Sequence, residues 1–198
     1  MIAVRPKQAE SNRSTPPTAV GVDNGHGLLK LAIGADSSQM KVRCPSKFKE
    51  VREDSLDYPT SKYGSTFYYR DGDAKALIGT EWKTGELAYN ADPHGHTKLS
   101  DKPEYKIEYA LHSILGALGT LPYRQVWNLY LVASIHNSKL FAKQLTSALE
   151  GTHIVCFNGK TSSHSTIKLH VGLVAPEGAG SYRDLDRFQA QIKPKAAL

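Results

Sequence analysis

The feature that most constrains this chain is a five-residue polar cluster, Asp23-Asn24-Gly25-His26-Gly27, set between two short apolar runs. Thr18 to Asp23 precedes it. Leu28 to Ile33 follows, with Leu29, Leu31 and Ile33 on one face and Lys30 on the other. Apolar runs of period two joined at Asn-Gly predict an antiparallel hairpin. Gln39 to Arg43 predicts a third strand, so the chain opens as a meander rather than as a strand–helix–strand unit. The cluster lacks the third glycine and the following helix of a dinucleotide fingerprint. It also lacks the G-x-x-x-x-G-K-[ST] pattern of a Walker loop.

The chemistry of the cluster suits an anion. Two glycines let a backbone approach a ligand closely and present N–H groups to its oxygens. Lys30 adds a positive charge beside them, and Asp23 at the strand end can hold a hydrated Mg²⁺ that bridges phosphates. The same residues also suit a plain type I′ turn carrying a surface lysine.

Downstream, Lys47 to Lys62 is charged without a clear period. Thr66 to Arg70 and Ala74 to Ile78 predict strands, and residues 80–102 an irregular stretch or weak helix. Glu104 to Leu118 shows helical spacing at Tyr105, Tyr109, His112 and Leu115, with Pro103 near its start and Gly119 near its end. Val126 to Ala133 predicts a buried strand, and Ser138 to Leu149 an amphipathic helix capped by Ser138 and stopped by Gly151. His153 to Phe157 and Thr166 to Val174 predict strands about an Asn158-Gly159 turn. Glu177 to Gln191 predicts a helix. Lys195 to Leu198 resembles the start of a further strand, an apolar beginning that suggests a piece of something longer.

At 198 residues, 40% hydrophobic and 22% charged, the chain has enough apolar mass for a core and is not a disordered or disulfide-framed protein. Two cysteines are too few for a secreted framework. Residues 1–17 form a polar tail without a signal-peptide core, and no apolar run reaches a membrane span. These features predict a cytoplasmic protein. A net charge of +6 permits direct nucleic-acid contact, and Tyr63, Phe67, Tyr68 and Tyr69 beside Lys62 and Arg70 could stack on bases. A strand packing one aromatic face into the core explains the same residues. Asp92, His94 and His96 could ligate a metal, although no further ligand pair stands at a recognised spacing.

The run Val22-Asp-Asn-Gly-His-Gly-Leu-Leu-Lys30 resembles the first phosphate loop of the actin/Hsp70/sugar-kinase ATPases, a strand, then D-x-G-x-x-x-x-K, then a second strand. The order of later elements, closing with Pro176-Glu-Gly-Ala-Gly180, is similar to the bacterial actin-like proteins of the ParM/StbA plasmid-segregation type. The resemblance spans about residues 18–198 and is specific at 22–30 and 176–180. It implies an α/β, RNase H-like (actin-like) mixed sheet with flanking helices, in which residues 37–102 form a small β-rich inserted subdomain of an 18–198 domain. It implies an ATPase that binds ATP (or GTP) with Mg²⁺ and assembles with itself into filaments, for plasmid or DNA segregation through a DNA-binding adaptor, or for cell shape. Residue by residue, it implies that Asp23 faces the metal and that Asn24, Gly25, His26 and Gly27 line the phosphates. Lys30 pairs with the β- or γ-phosphate, and Glu177 orients the attacking water.

Two departures accompany it. His26 stands where the family usually has Ser or Thr, and the second phosphate loop and adenosine-binding glycines are expected beyond residue 198. An alternative is therefore a non-catalytic actin-like module that scaffolds or regulates a filament. For Glu177, an acid favoured at a helix N-terminus explains the residue equally well.

Overall fold

The computed structural model describes residues 16–34, 39–52, 59–102 and 104–178. Alternation of apolar and polar side chains sets the strands. β1 (Thr18–Asn24) turns Val20, Val22 and Asn24 inward, β2 (Leu28–Ile33) turns in Leu29, Leu31 and Ile33, and β3 (Met40–Pro45) turns in Val42 and Cys44. β1 and β2 pair antiparallel with Asp23 opposite Lys30, and β2 pairs antiparallel with β3, so the predicted meander is present.

β8 (Val126–Ile135) buries every second residue from Trp127 to Ile135. It lies parallel to β1 on one side and to β10 (His164–Pro176) on the other. β9 (Gly151–Phe157) joins β10 antiparallel, and β5 (Thr66–Gly72), β6 (Glu81–Thr84), β4 (Lys47–Val51) and β7 (Thr97–Lys98) continue outward from it. Among the described residues the result is one mixed ten-stranded sheet in the order β3-β2-β1-β8-β10-β9-β5-β6-β4-β7.

Helices α3 (Ala110–Leu118) and α4 (Ser138–Leu149) cover the apolar face. Every residue of α3 is buried, as expected of a helix apolar on nearly all sides and enclosed by β2, β3, β5, β6 and α4. The fit is closest at Gly116, where a Cβ would stand 2.4 Å from Thr84 Oγ1.

The structure corrects several local expectations. Ala74 to Ile78 is no strand but a single tight turn over Lys75–Leu77, which reverses the chain between β5 and β6. Residues 80–102 hold the short helix that was one of the two expectations, α1 (Glu86–Ala91), but also β6 and β7, because Trp82 and Leu87 pack inward despite polar neighbours. The charged stretch after Lys47 begins with a strand, since Phe48 alone anchors it in the core. The helix expected over 104–118 is interrupted at Tyr109, giving α2 (Tyr105–Glu108) and α3. Tyr109 is wedged there, its ring stacked on Phe48 at 5.0 Å and packed against Tyr105, Trp82 and His112. Ser138 does not cap α4. Asn137, in a left-handed conformation at φ 47°, precedes the helix, and no side chain caps it.

Phe67 and Tyr69 are fully buried, so β5 presents them to the core and not to bases. Cys44 and Cys156 are free, buried thiols, and burial pushes Cys44 up to about 12. The helix expected over 177–191 lies, beyond Gly178, outside the described residues, as do most of the 1–17 tail and the apolar end at 195–198. No helix among the described residues is long and apolar enough to cross a membrane.

Candidate functional site

The parallel strands β1, β8 and β10 all end on the same edge of the sheet, at Asn24, Ile135 and Pro176. In open α/β sheets, ligands sit outside the carboxyl ends of parallel strands, where connections leave room for loops. The sequence-predicted residues gather at this edge in two groups.

The first group is the hairpin. The loop from Gly25 to Gly27 joins β1 to β2, and no residue from 24 to 28 has a positive φ, so the turn is not type I′. Ser46, just after β3, fixes the loop from behind. Its hydroxyl donates to the Gly25 carbonyl at 2.8 Å, and its amide donates to the Gly27 carbonyl at 3.2 Å. Among the described residues, none of the amides of Gly25, His26 and Gly27 closes a backbone hydrogen bond across the turn. Ser46 thus takes up the Gly25 and Gly27 carbonyls, while the amides of the loop make no such bond. Gly25 is sterically required, since a Cβ there would meet the Leu28 carbonyl oxygen at 2.9 Å. A Cβ on Gly27 would meet nothing within 4 Å, leaving open space above it. His26 and Gly27 are exposed.

Asp23 and Lys30 project from the face opposite the helices and pair across the hairpin, Lys30 Nζ to Asp23 Oδ2 at 3.0 Å. Both are about half exposed and line a cavity of about 530 Å³ with Lys41, Arg43, Ser134 and Gly178. One carboxylate among three cations gives that cavity a positive balance suited to polyanions.

The second group is behind the hairpin. Asn24, buried at the end of β1, donates from Nδ2 to the Lys106 carbonyl at 3.3 Å. The Lys106 ammonium makes an ion pair with Glu177 Oε1, with only 2% of the lysine side chain exposed against 37% of the glutamate's. The Glu177 amide in turn donates to the carbonyl of Ile135, at 3.2 Å, where β8 ends. Asn24 and Glu177, 153 positions apart in sequence, are thus linked through Lys106. Sequence reasoning missed Lys106, because a single lysine in a helical pattern reads as a solvated charge and its partner is 71 residues away.

The other candidates form no site. Asp92 accepts hydrogen bonds from the amides of His94 and Gly95 and pairs with Lys49 at 2.6 Å, which holds its carboxyl below the ordinary value. His96 Nδ1 is bonded to the Asp92 carbonyl, so these residues close a turn. Among the described residues, no group of three or more His, Cys, Asp or Glu could hold a metal ion.

Comparison with solved structures places this architecture. ParM of Bacillus thuringiensis in its apo form superposes with a TM-score of 0.60 at 16% identity, over 85% of this chain and 48% of that one. The fold is actin-like. AlfA from the B. subtilis plasmid pLS32, a filament structure, matches over 84% of this chain and 58% of its own with a TM-score of 0.54 at 18% identity. A hybrid of B. thuringiensis ParM with ADP matches over 83% of this chain and 22% of that one with a TM-score of 0.54 at 14% identity. The chain spans about half the length of the ParM and archaeal actin-homologue structures that it matches. No family model and no curated protein matches it.

Proposed function

We propose that this chain is the phosphate-gripping half of an actin-like nucleotide-binding protein whose occupancy controls self-assembly into filaments, in plasmid or DNA segregation or in cell shape. The observation that carries the reading is the 25–27 loop: Ser46 holds the Gly25 and Gly27 carbonyls while, among the described residues, its three amides close no backbone turn, beside Asp23 and Lys30. Open space above Gly27 and a cation-rich cavity alongside fit a nucleoside triphosphate with Mg²⁺. The ADP-bound ParM hybrid and the AlfA filament support the same reading by likeness of fold.

In this reading, Asp23 holds the hydrated Mg²⁺, the amides of Gly25, His26 and Gly27 take phosphate oxygens, and Lys30 exchanges its pairing with Asp23 for a phosphate. Asn24 holds the base of the loop in place. Glu177 accepts a hydrogen bond from the attacking water and aligns it, the role that phosphoryl hydrolysis asks of a protein. The bound metal would supply charge neutralisation of the phosphates. ATP or GTP fits the phosphate grip equally, because the base is read elsewhere. Residues 37–102, a β-rich insertion, are proposed to supply filament contacts, and a DNA-binding adaptor to link the filament to cargo.

A non-catalytic actin-like scaffold is the second reading. The pairing of Asp23 with Lys30 favours it, since each satisfies the other without a ligand.

Equilibrium titration of the chain with a fluorescent ATP analogue, with and without Mg²⁺, separates the two readings. Mg²⁺-dependent binding that weakens at least tenfold in Asp23→Ala supports the nucleotide reading. Binding indifferent to both supports the scaffold. Asp23→Ala removes only a half-exposed ion pair, so it should fold normally.

A further inference from the structure

Lys106 is an unusual place for a charge. Its side chain is buried to 2% exposure, whereas lysine in a folded protein ordinarily keeps its ammonium in water. A buried ammonium is tolerable only with a partner, and the partner here is the carboxylate of Glu177. Glu177 is the less buried of the two and could reach solvent by itself, so the pairing serves the lysine's desolvation while fixing the carboxylate.

The backbone of the same residue holds the other end of the connection. The Lys106 carbonyl accepts the Asn24 amide, and Asn24 is the last residue of β1 before the glycine loop. Asn24 is 7% exposed, its Oδ1 has no hydrogen-bond partner, and it borders a void of about 10 Å³, room for about one water, lined also by Val22, Ala110 and Ser134. The bond from Asn24 to the Lys106 carbonyl is the connection through which a shift of the loop would reach α2. The path has three links: loop to Asn24, Asn24 to the Lys106 carbonyl, and the Lys106 ammonium to Glu177.

We infer that Lys106 is a positioning residue that couples occupancy of the hairpin to the Glu177 carboxylate, its backbone reading the loop through Asn24 and its ammonium setting where Glu177 stands. This rests on the nucleotide reading of the hairpin and adds how the loop and the water-aligning acid act together.

The test is an amide NMR titration of the full chain with Mg²⁺ and a non-hydrolysable ATP analogue, following residues 24–28 and the Glu177 amide. In the native chain, both sets should shift along one saturation curve. In Lys106→Met, which keeps the buried volume but removes the charge, the 24–28 shifts should persist while the Glu177 shift is lost. Lys106→Arg should restore it. A Lys106→Met chain in which Glu177 still follows the ligand overturns the coupling and leaves the nucleotide reading intact. A native chain in which residues 24–28 do not respond overturns both. Melting curves of both variants establish that they are folded.

Discussion

Acidification should destabilise this protein through His112, and the size of the effect follows from its surroundings. His112 lies in the middle of buried α3, ringed by Trp82 at 4.5 Å, Tyr109 at 5.0 Å, Phe67 at 6.0 Å and Phe48 at 6.1 Å between ring centroids. Neither ring nitrogen has a partner in hydrogen-bonding geometry. The Glu108 carbonyl one turn back is near enough only to offset burial in part. Burial in this aromatic box drives the imidazole from 6.5 down to about 3. The folded state therefore refuses a proton that the unfolded chain accepts. The stability this contributes is fully present above the unfolded value of 6.5 and is lost as pH falls from there toward about 3. Between about pH 7.5 and about pH 5, the linkage relation gives a loss of about 2 kcal/mol from this one group. His153 is depressed too, chiefly by burial, and adds to the loss in the same direction. The assay is urea unfolding at both pH values for the native chain and for His112→Leu. The variant should show a pH dependence smaller by about 2 kcal/mol, whatever its absolute stability. Equal losses in the two proteins would mean that His112 is not the group responsible and that water reaches the imidazole inside the box.

Three further outcomes follow from the geometry. Gly116→Ala should cost about 1–3 kcal/mol in urea unfolding, because its Cβ would stand 2.4 Å from Thr84 Oγ1 and within 2.7 Å of that residue's Cβ and Cγ2. Ser46→Ala should cost about 1 kcal/mol through the lost bond to the Gly25 carbonyl, and should weaken nucleotide binding more than it lowers the melting temperature. Gly25→Ala and Gly27→Ala should separate: the first displaces the loop against the Leu28 carbonyl, whereas the second leaves the free protein's stability within about 1 kcal/mol and weakens binding by filling the space above the loop.

Much of the sheet was legible because its strands alternate. Leu29, Leu31 and Ile33 state the inward face of β2, and the apolar sequence from Val126 states a central strand. The opening hairpin was legible for the same reason, and Asp23, Asn24, Gly25, His26, Gly27 and Lys30 are contiguous or nearly so. What was hidden depended on distant partners. Phe48 turns a charged stretch into β4, and Trp82 with Leu87 orders a segment that reads as irregular, because one or two buried side chains outweigh weak local preference. The turn chemistry misled as well. Asn-Gly suggested left-handed angles at 24–25, but the structure spends that conformation at Asn137 and Asn158 and holds the hairpin loop with Ser46, 21 residues beyond Gly25. Lys106 was hidden for a related reason. Its partners come together only because β1 and β10, on either side of β8, end on one edge of the sheet.

Whether the hairpin grips a nucleotide is decided by mapping where Mg²⁺ and a nucleoside triphosphate touch the chain, by amide NMR with Mg²⁺-triphosphate and with Mg²⁺ alone. Saturable shifts are expected at Gly25, His26 and Gly27 that require the triphosphate and disappear in Asp23→Ala. Shifts confined to other parts of the sheet, or none at millimolar ligand, would contradict a nucleotide grip there.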